Sequence, residues 1–156
     1  MGTTGCPSEA AVTGPDPDAV ARSAEARLGA VVLDTSALMA VLLGEPEGEA
    51  CAAVLGSDAR LLISGGTLAE ALVVAGNRGI GAEMAALVGE GGVEVVPVTA
   101  VTAARVAEAY ARWGKGHHPA GLNLGDCFAY ALAREAGCPL LYVGQDFART
   151  DLPAAV

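Results

Sequence analysis

Four carboxylates stand where chemistry could be done. Asp34 closes a short apolar run at 31–33. Glu70 comes early in the segment after a second run at 61–63. Asp126 comes early in a later segment, and Asp146 follows a run at 140–143 across Gly144 and Gln145. Taken singly, each acid has a structural explanation. Asp34 suits a helix N-cap, and both Thr67-x-x-Glu70 and Asn123-x-x-Asp126 fit a capping box, at a helix end where carboxylates are favoured anyway. Taken together they are harder to explain that way. If the runs are parallel strands, three of the acids leave one sheet edge and the fourth can join them from a helix start. Two carboxylates about 4 Å apart repel by about 4 kcal/mol at an effective dielectric near 20. Four together require protonation or a cation between them. Oxygen-only donors select a hard ion, Mg²⁺ or Mn²⁺ ahead of zinc. Such an ion polarises a phosphoryl oxygen, activates water and stabilises a leaving oxygen.

The elements that must position these acids follow from pattern. Residues 31–33, 61–63, 93–98 and 140–143 are short apolar runs read as strands. Between them, 37–43 reads as a helix stopped by Gly44. A second helix starts near Pro46 and ends before Gly56, and others span 67–78 and 82–90. Residues 101–113 form an amphipathic helix with Arg105, Glu108 and Arg112 on one face. A polar loop at 114–121 precedes a helix at 124–136, stopped by Gly137 and Pro139. Short apolar strands alternating with helices predict an α/β fold with a parallel sheet covered on both faces, and sites in such sheets form beyond the carboxyl ends of the strands. Residues 1–29 read as an N-terminal extension, flexible or with a short helix at 18–28. Residues 30–156 read as one domain, a length able to build a single core.

Composition narrows the class. The chain has 156 residues, 53% hydrophobic and 17% charged, which rules out disorder throughout. Its strongest apolar run, 31–43, is shorter than the about 20 residues a spanning helix needs and contains Asp34, so no membrane association is expected. No secretory pattern opens the chain, so a cytoplasmic setting is expected. Cys6, Cys51, Cys127 and Cys138 form no C-x-x-C pair, and the two histidines are adjacent, which is poor spacing for zinc. Reduced, mostly buried thiols are expected instead. The formal net charge of −9 argues against a general nucleic-acid binder. With the four candidate ligands set aside, fourteen acids still face nine bases. That surface suits a basic partner segment.

Four segments resemble a known family. They are Val32-Leu33-Asp34-Thr35-Ser36-Ala37-Leu38, then Thr67-Leu68-Ala69-Glu70, then Leu122-Asn123-Leu124-Gly125-Asp126-Cys127-Phe128-Ala129-Tyr130, and Val143-Gly144-Gln145-Asp146-Phe147 with Thr150-Asp151-Leu152. Over roughly 31–153 the chain resembles the PIN-domain ribonucleases, and most of all the VapC-type toxins of type II toxin–antitoxin pairs. The Asn-x-Gly-Asp-Cys segment is the most specific piece. The resemblance implies a PIN-like three-layer α/β/α fold around a mainly parallel sheet of four to five strands. It implies metal-binding acids at Asp34, Glu70, Asp126 and the more variable Asp146, with Asp151 a candidate for that last role. It implies a hydroxyl beside the first Asp, at Ser36 or Thr35, holding a ligand carboxylate or a water. It further implies Mg²⁺ or Mn²⁺ as cofactor, tRNA or rRNA among the substrates, a cognate antitoxin whose basic residue enters the acidic pocket, and a homodimer. The extension at 1–29 departs from the family pattern, and the end of the chain near Leu152 leaves a final edge strand short or absent.

The function expected is metal-dependent RNA hydrolysis by the toxin of such a pair. Two rivals remain: a phosphatase-like domain and a non-nuclease α/β binding module. The first is weakened because no second Asp follows two residues after Asp34 and the only lysine, Lys115, lies outside any strand end. The second would be favoured if one of the four acids were missing, but all four are present. Arg78, Arg112, Lys115 and Arg149 could rim the site or merely solubilise. His117 and His118 read as solvated loop residues with a substrate contact as the alternative. Cys127 reads as core, since no partner base is evident. Tyr110, Trp113, Phe128 and Tyr130 read as packing, with Trp113 also a candidate for a dimer seam.

Overall fold

The computed structural model describes residues 29–156, so the helix read at 18–28 lies outside the described residues. Four strands, β1 (Ala30–Leu33), β2 (Arg60–Ser64), β3 (Glu94–Val96) and β4 (Leu140–Leu141), form one sheet in the order β3-β2-β1-β4. Every pairing is parallel: Val31 faces Leu61, Ile63 faces Val95 and Leu33 faces Leu141. The chain builds outward from β1 through β2 to β3, then returns to the far side of β1. That reversal opens a crevice between β1 and β4 at their carboxyl ends.

Alternation along each strand makes two cores. Val31, Leu33, Leu61, Ile63 and Leu141 face one way, and Ala30, Val32, Leu62 and Leu140 the other. The first layer is covered by α1 (Thr35–Leu43), α2 (Gly48–Leu55), α3 (Gly65–Asn77) and α4 (Gly81–Glu90). The second is covered by α5 (Ala100–Trp113) and α6 (Leu124–Ala136). The result is the three-layer sandwich that strands buried on both faces require. A 3₁₀ turn, Phe147–Arg149, follows β4 and buries Phe147.

Several expectations need correction. The strand read at 140–143 is only two residues long, because the Val143 N–H donates to Ser36 Oγ at 3.0 Å instead of continuing a ladder. The strand read at 93–98 keeps only Glu94–Val96. Beyond β4 a single parallel bridge joins Leu140 to Ala154, so the final edge pairing is short but present. The box read at Thr67 and Glu70 does not form. Ser64 caps α3 instead, accepting from the Gly66 N–H at 3.3 Å, so Glu70 lies a turn further in. Gly65 and Gly66 read as loop, yet both are helical. At Gly66 the reason is tertiary, because a Cβ there would strike the Phe128 ring of α6. Trp113 is not open to a dimer seam. It is 8% exposed and packs edge-on against His118, with Tyr130 beside it.

Candidate active site

Local structure fixes each acid. Asp34 leaves β1 in extended backbone and caps α1. Its Oδ2 accepts from the Ser36 N–H at 2.9 Å and from the Ser36 hydroxyl at 2.6 Å. Ser36 Oγ in turn accepts from Val143, so one hydroxyl fastens the acid to the chain emerging from β4. The neighbouring Thr35 serves a different acid, its hydroxyl donating to Glu70 Oε2 at 3.1 Å. Asp126 completes a true capping box: Asn123 Oδ1 accepts from its N–H at 2.9 Å, and its Oδ2 accepts from the Asn123 N–H at 2.7 Å. Both adjacent hydroxyls therefore hold carboxylates, one each.

These three acids line one pocket of about 350 Å³ with Thr35, Ser36, Met39, Glu45, Val74, Arg78, Asn123 and Val143. Asp146 is exposed at the start of the 3₁₀ turn, outside the pocket lining, but its charge reaches Asp34 and Asp126. Asp151 belongs elsewhere. It accepts from the Tyr130 hydroxyl at 2.8 Å and meets Arg112 and Arg134 at 3.4 and 3.6 Å.

The electrostatics are those of a site short of positive charge. Asp34 is 3% exposed, and its Oδ1 is buried with no hydrogen-bond partner. Burial raises its pKa above the ordinary value against the pull of Ser36, and the Asp146 charge adds to the rise. Burial likewise raises Glu70, opposed by Thr35 and reinforced by Asp34. Asp126 is pushed up to about 7, first by burial and then by the charges of Asp34, Glu70 and Asp146. An unpartnered carboxylate oxygen among other carboxylates is costly unless a proton or a cation meets it. The donor set is all oxygen, which fits Mg²⁺ or Mn²⁺. Among the described residues no three acid, His or Cys side chains converge into a ready cage. Asp34, Glu70 and Asp126 each have one oxygen held by a hydroxyl or an N–H.

Two features had escaped the sequence reading. Gly125 is one: a Cβ there would collide with the Glu70 carboxylate, so this glycine opens the space through which Glu70 meets α6. It was visible in the Asn-x-Gly-Asp segment, but its role depends on a helix distant in sequence. Glu45, just past the Gly44 turn, is a further acid on the pocket wall, and no spacing rule marks it. Arg78 alone of the four suspected rim cations lines the pocket. Arg112 lies over the Trp113 ring at 4.6 Å and Arg149 donates to the Pro119 carbonyl. His117 and His118 pack edge-on against Tyr110 and Trp113. Cys127 is fully buried, and burial pushes its thiol up to about 12, which disables it as a nucleophile.

This geometry has relatives. The PIN domain family matches residues 31–152. Ribonuclease VapC30 of Mycobacterium tuberculosis is 42% identical over 125 residues, covering 78% of this chain and 95% of that protein. Ribonuclease VapC of Mycolicibacterium smegmatis is 41% identical over 127 residues, covering 80% and 98%. Among solved structures, Mycobacterium tuberculosis VapC20, described as a Sarcin-Ricin loop cleaving toxin, superposes with a TM-score of 0.64 at 20% identity, covering 79% of this chain and 96% of that one. A chain of a toxin–antitoxin complex from Klebsiella pneumoniae superposes at 0.60 with 19% identity, covering 78% and 93%. The structural likenesses speak to the fold and the sequence matches to the family: the chain belongs to the PIN-domain family, among its VapC-type ribonuclease toxins.

Proposed function

We propose that this chain is an endoribonuclease that hydrolyses RNA phosphodiester bonds with Mg²⁺ or Mn²⁺, through Asp34, Glu70, Asp126 and Asp146. The observation that carries the reading is Asp34, whose Oδ1 is buried and unpartnered and which lines a pocket with three more carboxylates. When bound, a divalent ion would neutralise the phosphoryl oxygens and make water a better nucleophile. Asp34, Asp126 and Asp146 are the residues to hold it. Ser36 keeps Asp34 aimed and Asn123 keeps Asp126 aimed. Glu70, steadied by Thr35, either joins the ligand set or orients the attacking water and takes its proton. The water oxygen bonds to phosphorus, the 3′ oxygen departs and is protonated, and the products carry a 5′-phosphate and a 3′-hydroxyl. No side chain forms a covalent intermediate.

The rival readings are not favoured. At the position where a phosphatase-like site would need a second Asp, Ser36 binds the first one. A mere binding module would have no reason to retain so costly a set of acids. The partners we propose are structured RNA of the tRNA or rRNA type, a cognate antitoxin with a basic side chain for the acid pocket, and a second copy of this chain. The structurally similar Sarcin-Ricin loop cleaving toxin and the toxin–antitoxin complex support the first two. RNA of that kind sets the action in the cytoplasm, and among the described residues no helix is long and apolar enough to cross a membrane.

The test uses purified protein, labelled RNA and Mg²⁺ or Mn²⁺, beside Asp34→Asn and Asp126→Asn. Cleavage lost in both variants and on chelation is the expected result. Cleavage surviving chelation and both substitutions would falsify the reading.

A further inference from the structure

The acid wall of the pocket is interrupted at one point. Asp34, Glu45, Glu70 and Asp126 line it, and so does Arg78. Arg78 is the cap at the carboxyl end of α3, exposed and followed by Gly79 in the left-handed region at φ 74. The other described cations are mostly engaged. Arg60 meets Glu94, Arg105 meets Glu135, Arg112 and Arg134 meet Asp151, and Arg149 donates to Pro119. Among the described lysines and arginines only Arg78 and Lys115 make no side-chain hydrogen bond or ion pair, and of those two only Arg78 lines the pocket. Three of the acids on the wall each have one oxygen held, by Ser36, Thr35 and Asn123, and none of them pairs with Arg78.

A chain with net charge −9 must bring a polyanion to a pocket walled by carboxylates. Repulsion opposes that approach, and a single unpaired cation at the rim is where it can be overcome locally. A guanidinium suits the task because its planar fork matches two phosphate oxygens at once. We propose that Arg78 is the backbone anchor of this site, gripping the RNA phosphate next to the one that is cut. This rests on the ribonuclease reading above and adds a binding contact to it. The competing role is structural, since a cation at a helix carboxyl end also complements the helix dipole.

Arg78→Ala and Arg78→Lys separate the two roles, with Lys retaining the charge and losing the fork. Cleavage of a labelled single-stranded RNA is followed in Mn²⁺ at several salt concentrations. Binding of the same RNA is followed by fluorescence anisotropy in Ca²⁺, which shares the preference for oxygen ligands. For Arg78→Ala we expect KM and the binding constant to weaken about tenfold, kcat to stay within about twofold, and the salt dependence to become shallower by just under one ion. Arg78→Lys should recover part of the affinity. Unchanged affinity and salt slope would overturn the proposal. So would a fall in kcat together with the rise in KM that tracks a lowered melting temperature. If the wild-type protein binds RNA but cuts nothing, the ribonuclease reading fails, while the affinity comparison still decides the role of Arg78.

Discussion

Two carboxylates that the sequence offered for the site, Asp34 and Asp151, have opposite surroundings. Asp151 is met by Arg112, Arg134 and the Tyr130 hydroxyl, all supplied by α5 and α6. It is a strut that fastens the segment after the 3₁₀ turn to the second helical layer. Asp34 has the more expensive position, with one oxygen satisfied by Ser36, the other left bare and further acids facing it. A charge neutralised from within the chain serves the fold. A charge that the chain leaves uncompensated is there for something that arrives from outside.

The largest expected effect tests that contrast directly. Asp34→Asn should cut the cleavage rate by about 10³-fold, because it removes a charge that acts on the reacting phosphate. It should also raise the melting temperature of metal-free protein by a few degrees, since a buried charge disappears. Asp151→Asn should do the reverse. Its rate stays within about twofold, while its unfolding free energy in urea drops by about 1 kcal/mol. If both variants lose stability and keep activity, the distinction drawn here is wrong.

A smaller loss, about 10²-fold in kcat, is expected for Gly125→Ala, which pushes the Glu70 carboxylate out of register. The displaced atoms are the far end of a flexible side chain, so thermal melting should scarcely change. A melting curve shifted by ten degrees or more would mean that the glycine serves packing instead. Below that, Thr35→Val should reduce kcat about tenfold by releasing Glu70, with the circular dichroism spectrum unaltered.

The smallest effect is thermodynamic. Asp126 binds its proton up to about pH 7 in the folded chain and only up to its ordinary value when unfolded. Between those two values the folded state holds more protons, so metal-free stability falls as pH rises and is fully lost from this source above about 7. The increase in melting temperature that Mn²⁺ gives should therefore grow from pH 5 to pH 8, by a few degrees at most. An increase independent of pH would disconnect the ion from Asp126.

How much of this was legible beforehand depended on whether a feature is local. β1 ending in Asp34 and the Asn123–Asp126 box are written in a few consecutive residues, and the structure has both. The start of α3 was not legible, because helix propensity speaks against Gly65-Gly66. The close approach of Phe128 from α6, which overrides that propensity at Gly66, is invisible from one segment. Asp146 and Asp151 could not be told apart by spacing, since the deciding arginines lie on other helices. The four suspected rim cations could be sorted only once their partners were known.

The hydrogen bond from Val143 to Ser36 spans 107 residues, and β1 gains its second neighbour only when Leu140 and Leu141 have been made. During synthesis the first acid therefore emerges long before the wall that orients it. A ribosome translating this message would carry an unfinished blade until residues 140–143 had emerged, and translation itself would delay the moment at which the nascent chain becomes dangerous to its maker.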